Sequence, residues 1–278
     1  MIKRIAFLGC GSMGEAILAG LLGSELSPSA VVSTVRRVER AEELAHRYGI
    51  TALAGAEEPD ANSLAVQGAD VVILGVKPIG IAGLCREISP TLDARTVVVS
   101  VAAAVSLSQL SSALPPGQPV VRAMPNTPLK VRRGVVALSA GPTTTAQQQA
   151  LAHEVFVSSG VVLDVPEDAQ NAVSAISGSG PAYVFYFAEA LAAAAEEFGL
   201  DEDTARILAR ETVAGGGLML TQPGADPAVL RRGVSSPGGT TEAAIAAFQA
   251  QGLAGIIAAG AQAAAARAAA ITEELSAG

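Results

Sequence analysis

The chain has no tryptophan, and three tyrosines and six phenylalanines in 278 residues hold its aromatic share at 3%. Single-stranded nucleic-acid platforms and flat protein-recognition surfaces depend on aromatic side chains, so both are poor explanations. Positive charge is also short. The 18 Lys and Arg face 26 Asp and Glu, a net charge of −8, whereas a nucleic-acid binder carries a basic excess. Cys10 and Cys85 are the only cysteines, too few for a disulfide framework and in keeping with a reducing cytoplasm. No metal site is expected. Long apolar runs are scarce too. The best membrane candidate, residues 253–270, carries Gln262 and Arg267 and is mostly alanine, which favours a helix packed on other helices over a membrane span. The N-terminal MIKRIAFLGC imitates a signal peptide, but its apolar run is shorter than the roughly 7–15 residues required.

What is present is aliphatic. Half of the residues are hydrophobic and only 16% charged, with mean hydropathy +0.42, which excludes a disordered chain. The length suggests two domains at roughly 150 residues each. In the first half, short β-type runs (residues 2–8, 30–35, 70–76, 96–101) alternate with helical patterns (13–22, 39–48, 79–88, 107–114), and further strands are expected at 120–123, 135–138 and 161–165. This alternation of apolar strands and helices predicts a Rossmann-type, doubly wound, mostly parallel α/β sheet over residues 1–165. From 166 to 278 no strong strand run remains. Ala-rich helical patterns at 180–198, 204–219, 241–251 and 253–275 predict an all-α domain. Helices this rich in small residues give thin contacts within one chain, so a homodimer built on them is expected, with a higher homo-oligomer left open.

Gly9-Cys10-Gly11-Ser12-Met13-Gly14 is a GxGxxG loop between the first strand and the first helix. In that context it is a dinucleotide-binding signal. The first glycine makes the tight turn, the second admits a pyrophosphate and the third permits close helix–strand packing. An NAD site usually places Asp or Glu at the end of the second strand. Here the sequence reads Val32-Ser33-Thr34-Val35-Arg36-Arg37, and no carboxylate occurs before Glu39. Hydroxyls and two arginines suit a 2′-phosphate, which favours NADPH over NADH, although the arginines also read as solvated loop charges. Lys77 falls at the carboxyl end of the strand at 70–76, where doubly wound folds bind ligands.

Alcohol dehydrogenation needs a general acid or base, commonly His or Lys. His46 and His153 both read as surface helix residues, and the chain has three lysines, Lys3, Lys77 and Lys130. The helical segment 180–198 has neither Lys nor His. That weighs against a β-hydroxyacid dehydrogenase and suits reduction of a C=N bond, since a protonated imine is already electrophilic.

Val234-Ser235-Ser236-Pro237-Gly238-Gly239-Thr240-Thr241-Glu242 leads into a helical pattern, with Thr240 or Thr241 expected as the N-cap. Its N–H and O–H donors at a helix N-terminus suit a carboxylate, and an ordinary capped turn is the plainer reading. With this stretch in place, the sequence resembles the Δ1-pyrroline-5-carboxylate reductase family. The resemblance also rests on the Gly9–Gly14 loop, VKP at 76–78, RAMPNTP at 122–128 and SGSGPAYVF at 177–185, which together span nearly the whole chain.

The resemblance implies NAD(P)H-dependent reduction of 1-pyrroline-5-carboxylate, a small imino acid, to L-proline by hydride transfer to the imine carbon in the cytoplasm. It implies cofactor contacts from Leu8 through Gly14, Thr34 with Arg36 or Arg37, Asn62, Gly75, Val76, Lys77, Pro78, Ala102 and Ala103. Substrate contacts would come from Glu167, Gly238, Gly239, Thr240 and Thr241, with the Thr241 hydroxyl on the ring nitrogen as the catalytic group. SGSGP reads either as small residues for close helix approach or as a direct ligand contact. One departure stands out: the family often has AAG where this chain has Ala102-Ala103-Ala104. A glycine-only backbone conformation would then be absent from this loop.

Overall fold

A computed structural model describes residues 1–24 and 26–277. The chain divides into two compact units, Met1–Gly178 with Ala264–Gly278, and Ser179–Ala263.

The first unit alternates strands and helices in chain order: β1 (Ile5–Leu8), α1 (Ser12–Leu22), β2 (Val31–Val35), α2 (Val38–Tyr48), β3 (Thr51–Ala54), α3 (Ala61–Val66), β4 (Val71–Leu74), α4 (Ile81–Ile88), β5 (Val97–Ser100) and α5 (Leu107–Ala113). There follow β6 (Val120–Pro125), β7 (Gly134–Ala140), α6 (Ala146–Phe156), β8 (Gly160–Asp164) and the short α7 (Gln170–Val173). The strands form one sheet in the order β3-β2-β1-β4-β5-β6-β7-β8. All neighbours are parallel except β6 and β7, which a short 3₁₀ connection at Thr127–Val131 joins antiparallel. The expected mostly parallel doubly wound sheet is therefore present.

The chemistry of the strands explains the arrangement. β1, β4 and β5 are completely buried, as near-continuous Val/Ile/Leu runs must be when both sheet faces are covered. One face packs Ile5, Phe7, Val71, Ile73, Val97 and Val99 against α1 and α6. The other packs Ala6, Leu8, Val72, Leu74 and Val98 against α3, α4 and α5. The apolar part of the N-terminal run, Ile5–Leu8, is thus the buried first strand. Sequence reading missed β3 and α3, which are short and alanine-containing, so their apolar periodicity is weak.

Residues 166–178 pack with the first compact unit, and the second compact unit starts at Ser179. Side chains tie this stretch to the sheet. Glu167 Oε1 accepts from the Leu107 N–H at 2.6 Å and from Arg122 Nη1 at 3.3 Å. Gln170 Nε2 donates to Ser139 Oγ at 2.8 Å. Asn126 Nδ2 donates to Ser177 Oγ at 3.1 Å. Ser174–Gly178 is a π-helical turn, and a Cβ on Gly178 would stand 2.6 Å from Met124 Cε. These contacts favour the packing reading for the first part of SGSGP.

The second unit contains α8 (Gly180–Glu197), α9 (Glu202–Met219), α10 (Pro227–Gly233), α11 (Thr240–Ala250) and the start of α12 (Leu253–Ala277). Asp201 and Asp226 cap α9 and α10 through the Thr204 and Val229 N–H groups. Sequence reading missed α10, which is seven residues long. Among the described residues of this unit only Ala205 and Ala209 are buried. The apolar stretch at the start of α12 was expected to pack on other helices, yet none of its most apolar window is buried in the single chain. By length and composition alone, that helix could cross a membrane.

Candidate functional site: a glycine-loop cleft and a helix-terminal donor cluster

A first candidate site lies within the first unit, at the carboxyl ends of β1, β2 and β4. Because β2 and β4 flank β1, their following turns stand on either side of the β1–α1 loop. The result is a cleft of about 890 Å³ lined by Gly9–Gly11, Val35–Arg37, Arg40, Gly75–Lys77 and Ile79–Gly80.

Gly9 has φ +77, and a Cβ there would come within 2.5 Å of Val76 Cγ1, so both backbone and space require glycine. The Gly9 and Cys10 N–H groups donate to the Thr34 carbonyl, each at 3.0 Å, which fixes the turn against β2. A Cβ on Gly11 would meet nothing closer than 4.0 Å, leaving the loop open on that side. Gly14 is less constrained than the motif suggests. Its Cβ would stand 3.5 Å from Cys10 Sγ, an ordinary contact. Ser12 opens α1, and Met13 is half-buried against the core. Leu8 is fully buried in β1 and reaches the loop through its backbone: its carbonyl accepts from the Gly75 N–H at 2.8 Å.

Thr34 sits beneath the cleft, not on its surface. It is buried, its hydroxyl donates to Asn62 Oδ1 at 2.6 Å, and it accepts from the Gly9 N–H at 3.3 Å. Asn62 Nδ2 in turn donates to Glu87 Oε1 at 3.0 Å. Thr34 and Asn62 thus support the loop from below. Arg36 and Arg37 are exposed, and among the described residues neither guanidinium has an ion-pair partner. Lys77 is also exposed at the rim, and Pro78 starts a 3₁₀ turn. Cys10 is buried, and desolvation pushes its thiol up to about 12, so it is a packing residue at neutral pH. The same cause raises buried Cys85 to about 11.

Sequence reading missed two groups lining the cleft. Ile79 is 86% exposed and offers an apolar wall. Arg40, one turn into α2, bonds to Glu15 and Glu43. The sequence signal for Arg40 was its position three residues after Arg37. Partial burial pushes the Glu15 carboxyl up, but bonds from Arg40 and Tyr48 outweigh it and hold that carboxyl below its ordinary value.

The loop after β5 corrects one expectation. Ala102 is buried, Ala103 is exposed, and Ala104 takes φ +64. The left-handed conformation expected to be lost with glycine is kept by alanine. It costs roughly 1–2 kcal/mol for an L-residue and persists where the surroundings impose it. Ala104 is itself buried, and the neighbouring Val105 and Leu107 belong to the core, so the surroundings can impose it.

Glu167, expected near substrate, bonds to Leu107 N and Arg122 within the first unit. Burial pulls the Arg122 guanidinium down from its ordinary value, and Glu167 opposes that shift. Its carboxylate therefore has a structural role in neutralising a buried cation.

A second candidate site, within the second unit, is the Ser235–Glu242 turn. Gly238 has φ +72, and its N–H donates to Glu242 Oε2 at 2.7 Å. The helix N-cap is Gly239, with no side-chain cap bond, and not Thr240 or Thr241. The glutamate at the third helical position reaches back to the N–H just before the N-cap and braces the turn. It also shows that the turn accepts a carboxylate. Among the described residues, the Thr240 and Thr241 hydroxyls have no hydrogen-bond partner. The turn borders a cleft of about 790 Å³ that includes Arg231, Arg232 and Gln249. No group of three or more His, Cys, Asp or Glu converges as a metal site among the described residues.

The cradle fits a dinucleotide. The glycine loop is open toward the N-terminus of α1, two free guanidinium groups stand at the end of β2, and a lysine stands opposite. Comparison with known proteins gives consistent matches. Residues 4–104 match the family model described as NADP oxidoreductase coenzyme F420-dependent, and residues 167–271 match the one described as pyrroline-5-carboxylate reductase dimerisation. The pyrroline-5-carboxylate reductase of Corynebacterium melassecola is 41% identical over 269 residues, covering 96% of this chain and 97% of that one. A solved pyrroline-5-carboxylate reductase from Coxiella burnetii superposes with TM-score 0.90 at 34% identity, covering 98% of both chains. The Plasmodium falciparum pyrroline carboxylate reductase, solved with NADP bound, shares the fold at 21% identity and TM-score 0.81, covering 97% of this chain and 98% of that one.

Proposed function

Because the chain belongs to the pyrroline-5-carboxylate reductase family, we propose that it reduces 1-pyrroline-5-carboxylate to L-proline with NADPH, NADH being the weaker alternative. The observation that carries this reading is full-length similarity combined with an open glycine cradle beside unpaired Arg36 and Arg37.

The cofactor would be held by the Gly9–Gly14 loop, Gly75–Pro78 and Ala102–Ala103, with Arg36 and Arg37 taking the 2′-phosphate. Thr34 and Asn62 hold that loop in place. The bound cofactor supplies the hydride. The protein's part is to bind and orient the imine. The Gly238 and Gly239 backbone donors take the substrate carboxylate, which displaces Glu242 from the Gly238 N–H and the Ser236 carbonyl from the Gly239 N–H. The Thr241 hydroxyl orients the ring nitrogen and helps deliver its proton. Since the imine carbon is already electrophilic, proximity and fixed dipoles supply the catalysis, and no strong base is required.

The dimerisation match and the sparse core of residues 179–263 support a homodimer through the C-terminal helices. Domain roles divide near 165/166, with cofactor binding before and substrate binding and dimerisation after. The apolar start of α12 then faces a second copy and not lipid. The net charge of −8 speaks against nucleic acid, and two buried, unreactive cysteines fit the cytoplasm.

The test is NADPH oxidation followed at 340 nm on adding pyrroline-5-carboxylate, with proline identified as product. Oxidation without proline, or none, overturns the assignment.

A further inference from the structure

The β2–α2 turn is tied to α1 by a closed ring of four charged side chains. Glu15 Oε2 accepts from Arg40 Nη2, and Arg40 Nη1 donates to Glu43 Oε2 at 2.6 Å. Glu43 Oε1 accepts from Arg47 Nη2 at 2.7 Å, and Arg47 Nη1 returns to Glu15 Oε1 at 2.7 Å. Tyr48 adds a hydroxyl to Glu15 Oε1 at 3.0 Å. Both oxygens of each carboxylate and both terminal nitrogens of each guanidinium are used, and two carboxylates against two guanidinium groups leave the ring electrically neutral.

Its position gives it a task. Glu15 is in the first turn of α1, where its N–H bonds to the Gly11 carbonyl at 2.8 Å. The other three members lie on α2, which starts directly after Arg37. Arg40 lies in the first turn of α2, where the helix dipole disfavours a cation, and the two carboxylates offset that cost. It also lines the same cleft as Arg36 and Arg37. The inner pair is mostly buried, with Arg40 19% and Glu15 18% exposed, so solvent screens it less than an ordinary surface pair.

We propose that this ring is a positioning device for cofactor selectivity. It holds the N-terminus of α2, and with it the Arg36–Arg37 turn, at a fixed distance from the glycine loop. It also neutralises Arg40, so that Arg36 and Arg37 provide the phosphate-binding charge. The glycine loop has its own anchors in the Thr34 carbonyl and Gly75. Loss of the ring therefore affects recognition of the 2′-phosphate far more than the part of the dinucleotide common to NADPH and NADH. This inference rests on the dinucleotide reading of the cleft.

The experiment measures KM and kcat for NADPH and NADH, together with calorimetric Kd values for NADP⁺ and NAD⁺, in the full-length protein. Glu15→Gln keeps the shape of the side chain and removes its charge. The expected result is a five- to tenfold rise in KM for NADPH and Kd for NADP⁺, with under twofold change for NADH and NAD⁺. The kcat at saturating NADPH falls by under twofold. Equal effects on both cofactors, or none, overturn the inference and leave the ring as a stability element. Glu43→Gln, at the outer corner of the ring (43% exposed), gives the same test if Glu15→Gln does not fold. Arg36→Ala with Arg37→Ala is the separate control. If that double variant fails to discriminate between the cofactors, the phosphate-site reading itself fails. If it discriminates and both ring variants do not, only the ring's role is lost.

Discussion

The two units bury their apolar residues very differently. In the first, two clusters sandwich the sheet, and side chains such as Ile17, Leu44, Leu74 and Leu110 are excluded from water. In the second, two alanines are buried, while Phe185, Tyr186, Ile207 and Ile257 are all more than half exposed. Both are rich in aliphatic residues, so composition does not separate them. Topology does. A sheet covered on both faces closes a core within one chain, whereas a few long helices leave apolar faces that only further helices can cover. The first unit is stabilised by its own contacts. In the proposed homodimer, a second copy covers those faces.

The comparison can be broken at several points. Ile17→Ala empties a fully buried site in the first unit and should cost about 2–5 kcal/mol, independently of protein concentration in thermal unfolding. Ile257→Ser in the second unit should instead shift the protein toward monomer in analytical ultracentrifugation and make its Tm depend on concentration. Concentration-independent unfolding of that variant, with an intact oligomer, would contradict the proposed interface.

Thr241→Ala tests the chemistry carried by the second unit. Its kcat should fall roughly 10- to 1000-fold, as for removal of one oriented donor, while NADPH binding measured by fluorescence is retained.

The ring in the first unit predicts a smaller, pH-dependent effect. The Glu15 carboxyl is held below its usual value near 4.5, so its ionised form stabilises the folded state. That contribution is complete above about pH 4.5 and is lost as pH falls through the lower folded value. The Tm advantage of the parent over Glu15→Gln should therefore be constant near neutrality and shrink below about pH 4.5. A gap that stays constant down to pH 3 would exclude it.

The smallest effect concerns the loop after β5. Ala104→Gly removes left-handed strain but loosens the unfolded chain, and the two nearly offset. A net stabilisation of about 0.5 kcal/mol is expected in chemical denaturation. A loss above about 1 kcal/mol would mean that the Ala104 methyl group matters more than its φ angle.

Much of the fold was legible because its signals are local. The strand–glycine–helix order at residues 2–22 and the continuous apolar strands are read from neighbours in sequence, and the structure keeps them. β3, α3 and α10 were not legible, since each is too short to establish a period. At the candidate site, Gly9 and the Arg36–Arg37 pair could be found from spacing. Gly239 as the N-cap of α11 could not, because the two threonines beside it are the better capping residues by type and only the backbone geometry shows where the helix starts. Nor could the structural role of Glu167, whose partners Leu107 and Arg122 are distant in sequence.

The amino-acid order by itself determined the longer strands and helices, that a glycine turn follows β1 and that no carboxylate ends β2. These depend on backbone sterics and on periodicity over a few residues. The tertiary structure decided what meets what. The order β2-β1-β4 brings residues 36–37 and 75–77 to opposite sides of one loop. Packing α1 against α2 closes Glu15, Arg40, Glu43 and Arg47 into a ring. The surroundings of residue 104 hold an alanine where glycine was expected. Each outcome rests on contacts between residues far apart in the chain, and local preference carries no information about those.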